Sequence, residues 1–281
     1  MELQAKELQS RLLSMMKQFH NICVDNNLRY YIIGGTCIGA RRHKGFIPWD
    51  DDVDVGMPRE DYEKLCKLSR DAFPENLELR FYRNTPKSPF HFIKLVDNTT
   101  TLIERAYLDC VEGVYIDVFP LDGVKDYNKK FTEKIRCKYI WFEKVMIFYH
   151  CMTENRTNIL KKVLIRISKS RSLEKMHETI ERHMRKYSFD GSDTVANFFG
   201  AWKEKEIYPK AYLGNPTLYE FEDTKLYGPE RIDEYLTHVY GDFMKLPPKE
   251  KQVFKHDFYY VDFKTPFREY EKDHIRVKQG E

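Results

Sequence analysis

The sequence predicts a mixed α/β fold of the α+β class, and three observations predict it. Short apolar runs that end at glycine or proline alternate with helix-like patterns through residue 124. Residues 125–187 contain neither glycine nor proline, which predicts long helices. Turn-rich pieces return after about residue 190. We therefore predict three regions: a small mixed β-sheet with flanking helices over 1–124, a basic helical region over 125–190, and a C-terminal region over 191–281 that completes the functional pocket.

The first elements follow from local patterns. Apolar residues recur at helical spacing from Leu8 to Cys23, which predicts an amphipathic N-terminal helix. A β-prone run over 30–33 stops at two glycines, and Thr36 can cap a short helix that reaches about His43. The run IPWDDDVDVGM then predicts a second strand, after which Pro58 opens a helix over PREDYEKLCKLSRDAF.

Three further segments complete the predicted sheet. ELRFYR is a strand, and HFIKLVDNTTTLI is a strand, a turn at Asp97-Asn98 and another strand. VYIDVFPLDGV is a strand that Pro120 and Gly123 should end. Near the C-terminus, IDEYLTHVYG predicts a helix that stops at Gly241.

Composition limits the function classes. The net charge of the 281 residues is only +3, so no strong global field selects a partner. The six cysteines form no CxxC pair, which favours reduced thiols over a disulfide framework or zinc site. The N-terminus lacks the apolar segment of a signal peptide, and no apolar run is long enough to span a bilayer. We therefore expect a cytoplasmic protein.

The charge is unevenly distributed along the chain. Residues 125–187 hold 17 Lys and Arg against 7 Asp and Glu. This surplus is typical of an ordinary solvated helical face, but it also fits docking onto an anionic membrane or a polyanionic acceptor. A peripheral contact with the inner face of the plasma membrane therefore stays open.

Four aspartates crowd into positions 50–54, and like charges at that density repel. On a strand, Asp52 and Asp54 share one face while Val53 and Val55 share the opposite, apolar face. Asp117 lies inside the apolar run VYIDVFPL, where a lone carboxylate is costly. If the two strands are neighbours, one divalent cation satisfies all three carboxylates, and oxygen-only ligands favour Mg²⁺ or Mn²⁺. This pattern predicts metal-assisted phosphoryl chemistry.

The diglycine before the aspartates fits the same chemistry. Gly34, Gly35 and Thr36 lie between a predicted strand and a helix, where backbone amides can hold phosphate oxygens. Arg42 and Lys44 could supply further phosphate contacts, although a solvated helix end explains them as well. For the aspartates, a structural calcium loop is disfavoured because EF-hand spacing is absent.

At these residues the sequence resembles the LicD family, whose wider relatives include the fukutin proteins. The resemblance is dense over GGTCIGARRHKGFIPWDDDVDVGMPREDYEKL and continues at IDVFPLDG and YGDFMKLPP. It implies a nucleotidyltransferase-like fold and an enzyme that moves phosphocholine from CDP-choline to a hydroxyl. The implied acceptor is a cell-surface glycan, a teichoic acid or lipopolysaccharide precursor, or another lipid-linked polymer, and no nucleic acid is implied.

The resemblance also implies roles for single residues. Asp52 and Asp54 become paired metal ligands and Asp117 the third acidic residue, which could also deprotonate the acceptor hydroxyl. These three are the candidate catalytic and metal-binding residues. The candidate substrate-binding residues follow the same motif and are Gly34, Gly35, Thr36, Arg42, Lys44, Trp49 and Asp50.

Choline would require an aromatic cage for its quaternary ammonium. The turn-rich C-terminal region offers Trp202, Tyr208, Tyr212 and Tyr219, each of which could equally be core. Another CDP-alcohol as donor therefore stays open.

Three other functions remain open from sequence. A true nucleotidyltransferase would attach the nucleoside monophosphate itself. A sugar-nucleotide glycosyltransferase also uses DxD and a metal, although the diglycine spacing and the third aspartate count against it. A non-catalytic membrane-binding module would depend on the basic helices and not on the aspartates.

Overall fold

The computed structural model describes residues 2–85, 88–105, 107–108, 110–152, 159–254 and 258–271. Within them, the main β-sheet has seven strands, and its central path runs in the order β1-β2-β6-β4-β3. Strands β7 and β8 continue from β6. This mixed sheet with surrounding helices confirms the predicted α+β class. The bounds of its strands are β1 Tyr31–Ile32, β2 Asp54–Pro58, β3 Leu77–Arg80, β4 Ile93–Asp97, β6 Tyr115–Val124, β7 Thr194–Ala196 and β8 Ile207–Pro209.

Two small antiparallel sheets accompany the main one. β5 (Thr101–Ile103) pairs with β11 (Tyr260–Asp262), and β9 (Thr217–Phe221) pairs with β10 (Thr224–Gly228). The helices are α1 Glu2–Asp25, α2 Gly34–Ile38, α3 Arg59–Leu65, α4 Phe131–Cys151, α5 Ile159–Lys169, α6 Leu173–Met184 and α7 Ile232–Tyr240. A π-helical turn, Gly39–His43, extends α2 to the predicted end at His43.

Helix α1 has the predicted amphipathic character. Its apolar side chains from Leu8 to Cys23 are buried in the main core together with both faces of the sheet. The C-terminal region contributes to the same core, and β7 pairs with β6 in an antiparallel register. The division into 1–124, 125–190 and 191–281 stays a prediction.

Strand β6 ends directly after Gly123, as predicted, but it passes through Pro120, which was also expected to end it. It runs from Tyr115 to Val124. On one side it pairs with β4 only as far as Val118, and it then pairs with β7 from Asp122. Pro120 lies where β6 changes neighbour, so its missing N–H removes no hydrogen bond on that side.

Two other boundaries also differ. β2 begins only at Asp54, because a turn closed by Asp50 N donating to the Ile47 carbonyl (2.8 Å) comes first. Helix α3 ends at Leu65 instead of continuing to Phe73, since the backbone becomes extended at Ser69 (ψ 160°). The residues around the start of β2 and the end of α3 are compatible with either boundary, so the local sequence pattern does not determine where these elements begin or end.

A buried ion pair joins the helical region to the sheet. Arg59 on α3 is 5% exposed and donates through Nε and Nη2 to the two carboxylate oxygens of Asp122 on β6, at 2.8 and 2.6 Å. Its Nη1 also donates to Glu181 on α6 at 3.1 Å. This two-pronged geometry fixes α3 and α6 to the strand that carries Asp117.

Among the helices of the described residues, none combines the length and apolar character needed to cross a bilayer.

Candidate active site

The three predicted acidic residues meet in one cavity. β2 and β6 are parallel neighbours, and their register pairs Asp54 with Asp117. Asp117 N donates to the Val53 carbonyl at 3.0 Å, which holds the two strands together just before Asp54. Asp52, Asp54 and Asp117 all line a cavity of about 350 Å³, while Val53 and Val55 are buried on the opposite side. The sheet therefore presents three carboxylates to one space.

The diglycine makes room for these carboxylates. Gly34 has φ +60°, and a Cβ there would lie 2.6 Å from Asp54 Oδ2. A Cβ on Gly35 would lie 2.6 Å from Asp50 Oδ2. Thr36 Oγ1 accepts a hydrogen bond from Asp54 N at 2.9 Å, which fixes the start of β2. Two glycines are needed because each closely faces an aspartate.

Replacing Gly34 with alanine should destabilise the protein by about 2 kcal/mol or more, since the left-handed backbone and the collision with Asp54 both add cost. Gly241→Ala is the matched control. Gly241 also has a positive φ (+75°), but a Cβ there meets nothing within 4 Å. Urea unfolding of both variants separates the two costs. Equal losses for the two variants would show that contact with Asp54 contributes nothing.

The other predicted binding residues lie outside the cavity lining. Arg42 Nη1 donates to the carbonyl of Phe243, within the YGDFMKLPP segment. Lys44 adopts a left-handed conformation (φ 61°), and its carbonyl accepts from Glu222 N at 2.7 Å. The predicted residues that do not line the cavity are Gly35, Thr36, Arg42, Lys44, Trp49 and Asp50.

Burial and crowding control the charge of the aspartates. The pKa of Asp54 lies well above its usual range, first because of burial and then because of Asp52 and Asp117. Burial raises the pKa of Asp117 to about 7 despite the opposing effect of Lys94. Asp117 Oδ1 is buried and accepts no hydrogen bond. A bound cation would favour the ionised carboxylates and would therefore lower the pKa values of both Asp54 and Asp117.

Lys94 is a functional candidate that the sequence reasoning missed. It is 1% exposed, lies on β4 opposite Asp117, and places Nζ 3.5 Å from Asp117 Oδ1. Nζ also lies 3.5 Å from Glu104 Oε2 and 3.1 Å from the centre of the Tyr115 ring. The sequence did contain a signal for Lys94. A lysine between Ile93 and Leu95 in an apolar strand is as unusual as an aspartate at position 117 in the apolar run VYIDVFPL.

The opposite wall of the cavity comes from α4 and the C-terminal region. Lys144 Nζ donates to the Phe199 carbonyl at 2.6 Å, and burial lowers the pKa of Lys144 to about 8. Glu206 is 5% exposed, and burial raises its pKa to about 7. Both residues line the cavity. Neither was identified from sequence, because each is one of many charges in a charged segment.

An aromatic pair lines this wall as well. The rings of Trp202 and Tyr240 meet edge to face, with centroids 5.8 Å apart. Of the four predicted cage candidates, only Trp202 lines the cavity. Tyr208 is 1% exposed and packs edge to face with Tyr235 in the core.

The acidic residues fit a hard divalent cation in chemistry. All three offer only oxygen, and the unsatisfied Asp117 Oδ1 would gain a partner. Among the described residues, no group of three Asp, Glu, His or Cys side chains is arranged to hold an ion by itself. Mg²⁺ is often bound by one or two carboxylates, with substrate phosphates and water completing the shell. A site completed by substrate is consistent with both observations.

Comparison with known proteins adds independent information. Residues 27–154 match the family model described as "LicD/FKTN/FKRP, nucleotidyltransferase domain". Over 261 residues, the chain is 28% identical to the lipopolysaccharide cholinephosphotransferase LicD of Haemophilus influenzae, covering 89% of this chain and 95% of that protein.

Two further relatives match over shorter lengths. The chain is 53% identical over 45 residues to the human ribitol 5-phosphate transferase FKRP, which is 16% of this chain and 9% of that protein. It is 24% identical over 137 residues to mannosyltransferase regulator 4 of Saccharomyces cerevisiae, covering 46% and 12% of the two chains.

Proposed function

We propose that this chain, whose residues 27–154 carry a domain of the LicD family, is a metal-dependent phosphotransferase that moves a phosphoalcohol group to a glycan hydroxyl. The family match over residues 27–154 confirms the resemblance that the sequence motifs indicated. The observation that carries the proposal is the pairing of Asp54 and Asp117 on neighbouring strands beside Asp52 in one cavity. Similarity along nearly the whole length of a named cholinephosphotransferase supports phosphocholine as the transferred group.

In the proposed reaction, the acceptor hydroxyl oxygen forms a bond to the phosphorus that carries the alcohol. The bond from that phosphorus to the oxygen of the nucleoside monophosphate breaks, and CMP leaves if the donor is a CDP-alcohol. Asp117 takes the hydroxyl proton, and its raised pKa of about 7 suits a base at neutral pH. Bound Mg²⁺ or Mn²⁺ would neutralise phosphate charge and favour departure of the leaving group.

The chain's own cations support the same step. Lys144 and Arg105 line the cavity and can stabilise the charge that develops on the departing nucleotide. Arg42 and Lys44, for which that role was predicted, do not line it. Lys94 lies beneath Asp117 and orients the carboxylate through their 3.5 Å ion pair.

A screen of CDP-alcohols tests the proposal. Purified protein is incubated with CDP-choline, CDP-ethanolamine, CDP-ribitol or CDP-glycerol, with Mg²⁺ or with EDTA, and a glycan acceptor. We expect CMP release that requires both metal and acceptor. Pyrophosphate release from a nucleoside triphosphate would instead indicate a true nucleotidyltransferase, and a cellular role that survives loss of the aspartates would indicate a non-catalytic module.

The choline preference rests on the wall formed by Trp202, Tyr240 and Glu206. Aromatic rings beside a carboxylate suit a quaternary ammonium. Trp202→Ala should raise the KM for CDP-choline about fivefold to tenfold and change that for CDP-ribitol little, because choline carries a cation and ribitol does not. Tyr259→Ala, at an aromatic residue 67% exposed, is the control. Equal effects on both donors would contradict an aromatic site for choline, but they would not contradict the proposed phosphotransfer reaction.

A further inference from the structure

Two neighbouring basic helices carry large apolar side chains on the outside of the protein. On α4 they are Phe131, Ile135, Phe142 and Val145, and on α5 they are Ile159, Leu160, Val163 and Ile167. Their exposed fractions range from 46% to 82%. We call these eight residues the α4–α5 apolar surface. They are almost half of the eighteen large apolar residues that are exposed in the described part of the chain.

The exposed residues form stripes that the core does not need. On α4, positions 131, 135, 142 and 145 lie on one side of the helix, since their spacing follows the helical repeat. The other side of α4 already buries Cys137, Ile140 and Ile147. On α5, positions 159, 163 and 167 form a similar stripe, while Ile165 and Ser168 are the buried residues. Each helix is therefore packed on one side and exposes large apolar side chains on the other, with Lys138 among those of α4.

The charge of these two helices is positive. Helix α5 contains Lys161, Lys162, Arg166 and Lys169 and no acidic residue. The two acidic residues of α4 are buried and paired, Glu133 with Arg136 and Glu143 with Arg171. They therefore contribute little negative charge to the outer face.

We propose that the α4–α5 apolar surface docks onto an anionic lipid bilayer. An apolar stripe flanked by Lys and Arg lies in the interfacial plane of membranes, with its apolar side chains among the acyl chains and its cations at the headgroups. A second copy of the chain is a poorer occupant, because a symmetric contact would place these basic residues opposite each other. In the proposed contact, α4 and α5 lie along the headgroup region of one leaflet, so the contact is peripheral.

Helix α4 contributes to the cavity as well as to the apolar surface. Lys144 belongs to α4 and lines the cavity, and it is flanked by Glu143 and Val145. Arg105 lines the cavity and places its guanidinium 5.4 Å from the centre of the Phe148 ring of α4. Helix α4 therefore carries part of the cavity wall as well as part of the proposed docking surface.

Vesicle flotation tests the docking, and its readout does not depend on catalysis. The full chain is mixed with vesicles of phosphatidylcholine alone or with one-third phosphatidylglycerol, at low and high salt. We expect binding to the anionic vesicles, weaker binding at high salt, and little binding to the neutral ones. Equal binding to both vesicle types, or none to either, would overturn the proposal.

Two triple variants separate the apolar and charged contributions. Ile159→Ser with Val163→Ser and Ile167→Ser, and Lys162→Gln with Arg166→Gln and Lys169→Gln, should each weaken partition onto anionic vesicles roughly tenfold or more. Because all six residues are exposed, thermal unfolding should change little.

The control variants lie on the small β9–β10 sheet, away from α4 and α5 in the chain. Leu218→Ser, at a residue 48% exposed on β9, and Lys225→Gln, exposed on β10, should bind like the parent chain. Parent-like binding by either triple variant would overturn the proposal. So would a parent dimer in size-exclusion chromatography that the serine variant converts to a monomer, since this surface would then be a self-association interface.

Discussion

Asp54→Asn is expected to reduce phosphotransfer by about a thousandfold or more and, at the same time, to stabilise the fold. The rate falls because the variant removes one of the carboxylates that would bind the metal, and such electrostatic contributions are worth several kcal/mol. Stability rises because the carboxylate is held beside Asp52 and Asp117 in a partly buried site. The asparagine side chain has the same shape but is neutral, so it is not repelled by the carboxylates of Asp52 and Asp117.

The sign of the stability change follows from the pKa of Asp54. It is raised in the folded protein, so the folded state disfavours the ionised form. Stability is therefore lost as pH rises from the unfolded pKa, about 4, toward the folded pKa. At pH 7 the parent bears this cost and the variant does not. We expect a gain of about 0.5–2 kcal/mol, which is common when a strained functional residue is removed.

Urea unfolding in EDTA measures the gain, and CMP release in Mg²⁺ measures the loss. Asp71→Asn is the matched control, because Asp71 is exposed and does not line the cavity. It should leave both quantities nearly unchanged, within about 0.5 kcal/mol for stability. An Asp54→Asn variant that retains full transfer activity would show that this carboxylate has no part in the chemistry.

The candidate site was partly predictable because some of its signals are local. The alternation of Asp52 and Asp54 with Val53 and Val55 is visible in any strand, and Asp117 stands out in an apolar run. The pairing of β2 with β6 is a non-local contact, since about sixty residues separate the two strands in the chain. Sequence could state that pairing only as a condition, and the parallel register of Asp54 with Asp117 satisfies it.

Other parts could not be predicted because the sequence signal was absent or shared. Lys144 and Glu206 lie in segments full of charge, and only tertiary packing selects the one residue of each that faces the cavity. Arg42 illustrates the reverse case. A basic residue after a diglycine favours a phosphate contact, and that role stays a prediction; in the structure the guanidinium of Arg42 donates to the Phe243 carbonyl of the C-terminal segment. The carbonyls of a distant loop leave no local trace near residue 42.

Strand and helix ends show the same limit. Pro120 was expected to stop β6, and it does not, because the strand exchanges β4 for β7 at that point. A proline ends a strand only where its N–H is needed, and that depends on neighbours far along the chain.

Lys94→Met should destabilise the protein by about 3–5 kcal/mol at pH 7, which is the usual cost of removing one partner from a buried ion pair. Methionine keeps the apolar stem but removes the charge that faces Asp117 and Glu104 at 3.5 Å and Glu112 at 4.0 Å. Those acids are largely buried, so each loses a counter-charge that water replaces poorly.

The pH dependence distinguishes this electrostatic loss from a simple packing defect. The pKa of Lys94 is raised in the fold, with burial opposing and Asp117, Glu104 and Glu112 favouring the charged form. Its stabilisation is therefore complete below the unfolded lysine pKa, about 10.4, and is lost only as pH rises through the higher folded value. Across the neutral range the parent keeps the full benefit.

In the variant, the remaining acids set the trend. The pKa of Glu112 is already raised by burial and that of Asp117 is about 7, and both should rise further without Lys94. An acid whose folded pKa is higher in the variant than in the parent costs the variant additional stability between those two values, so the deficit of Lys94→Met should grow as pH rises through about 7 and above. Urea unfolding at several pH values in EDTA measures it, with exposed Lys67→Met as the control. A deficit that stays constant with pH would mean that the charge of Lys94 does not control the pKa values of Asp117 and Glu112.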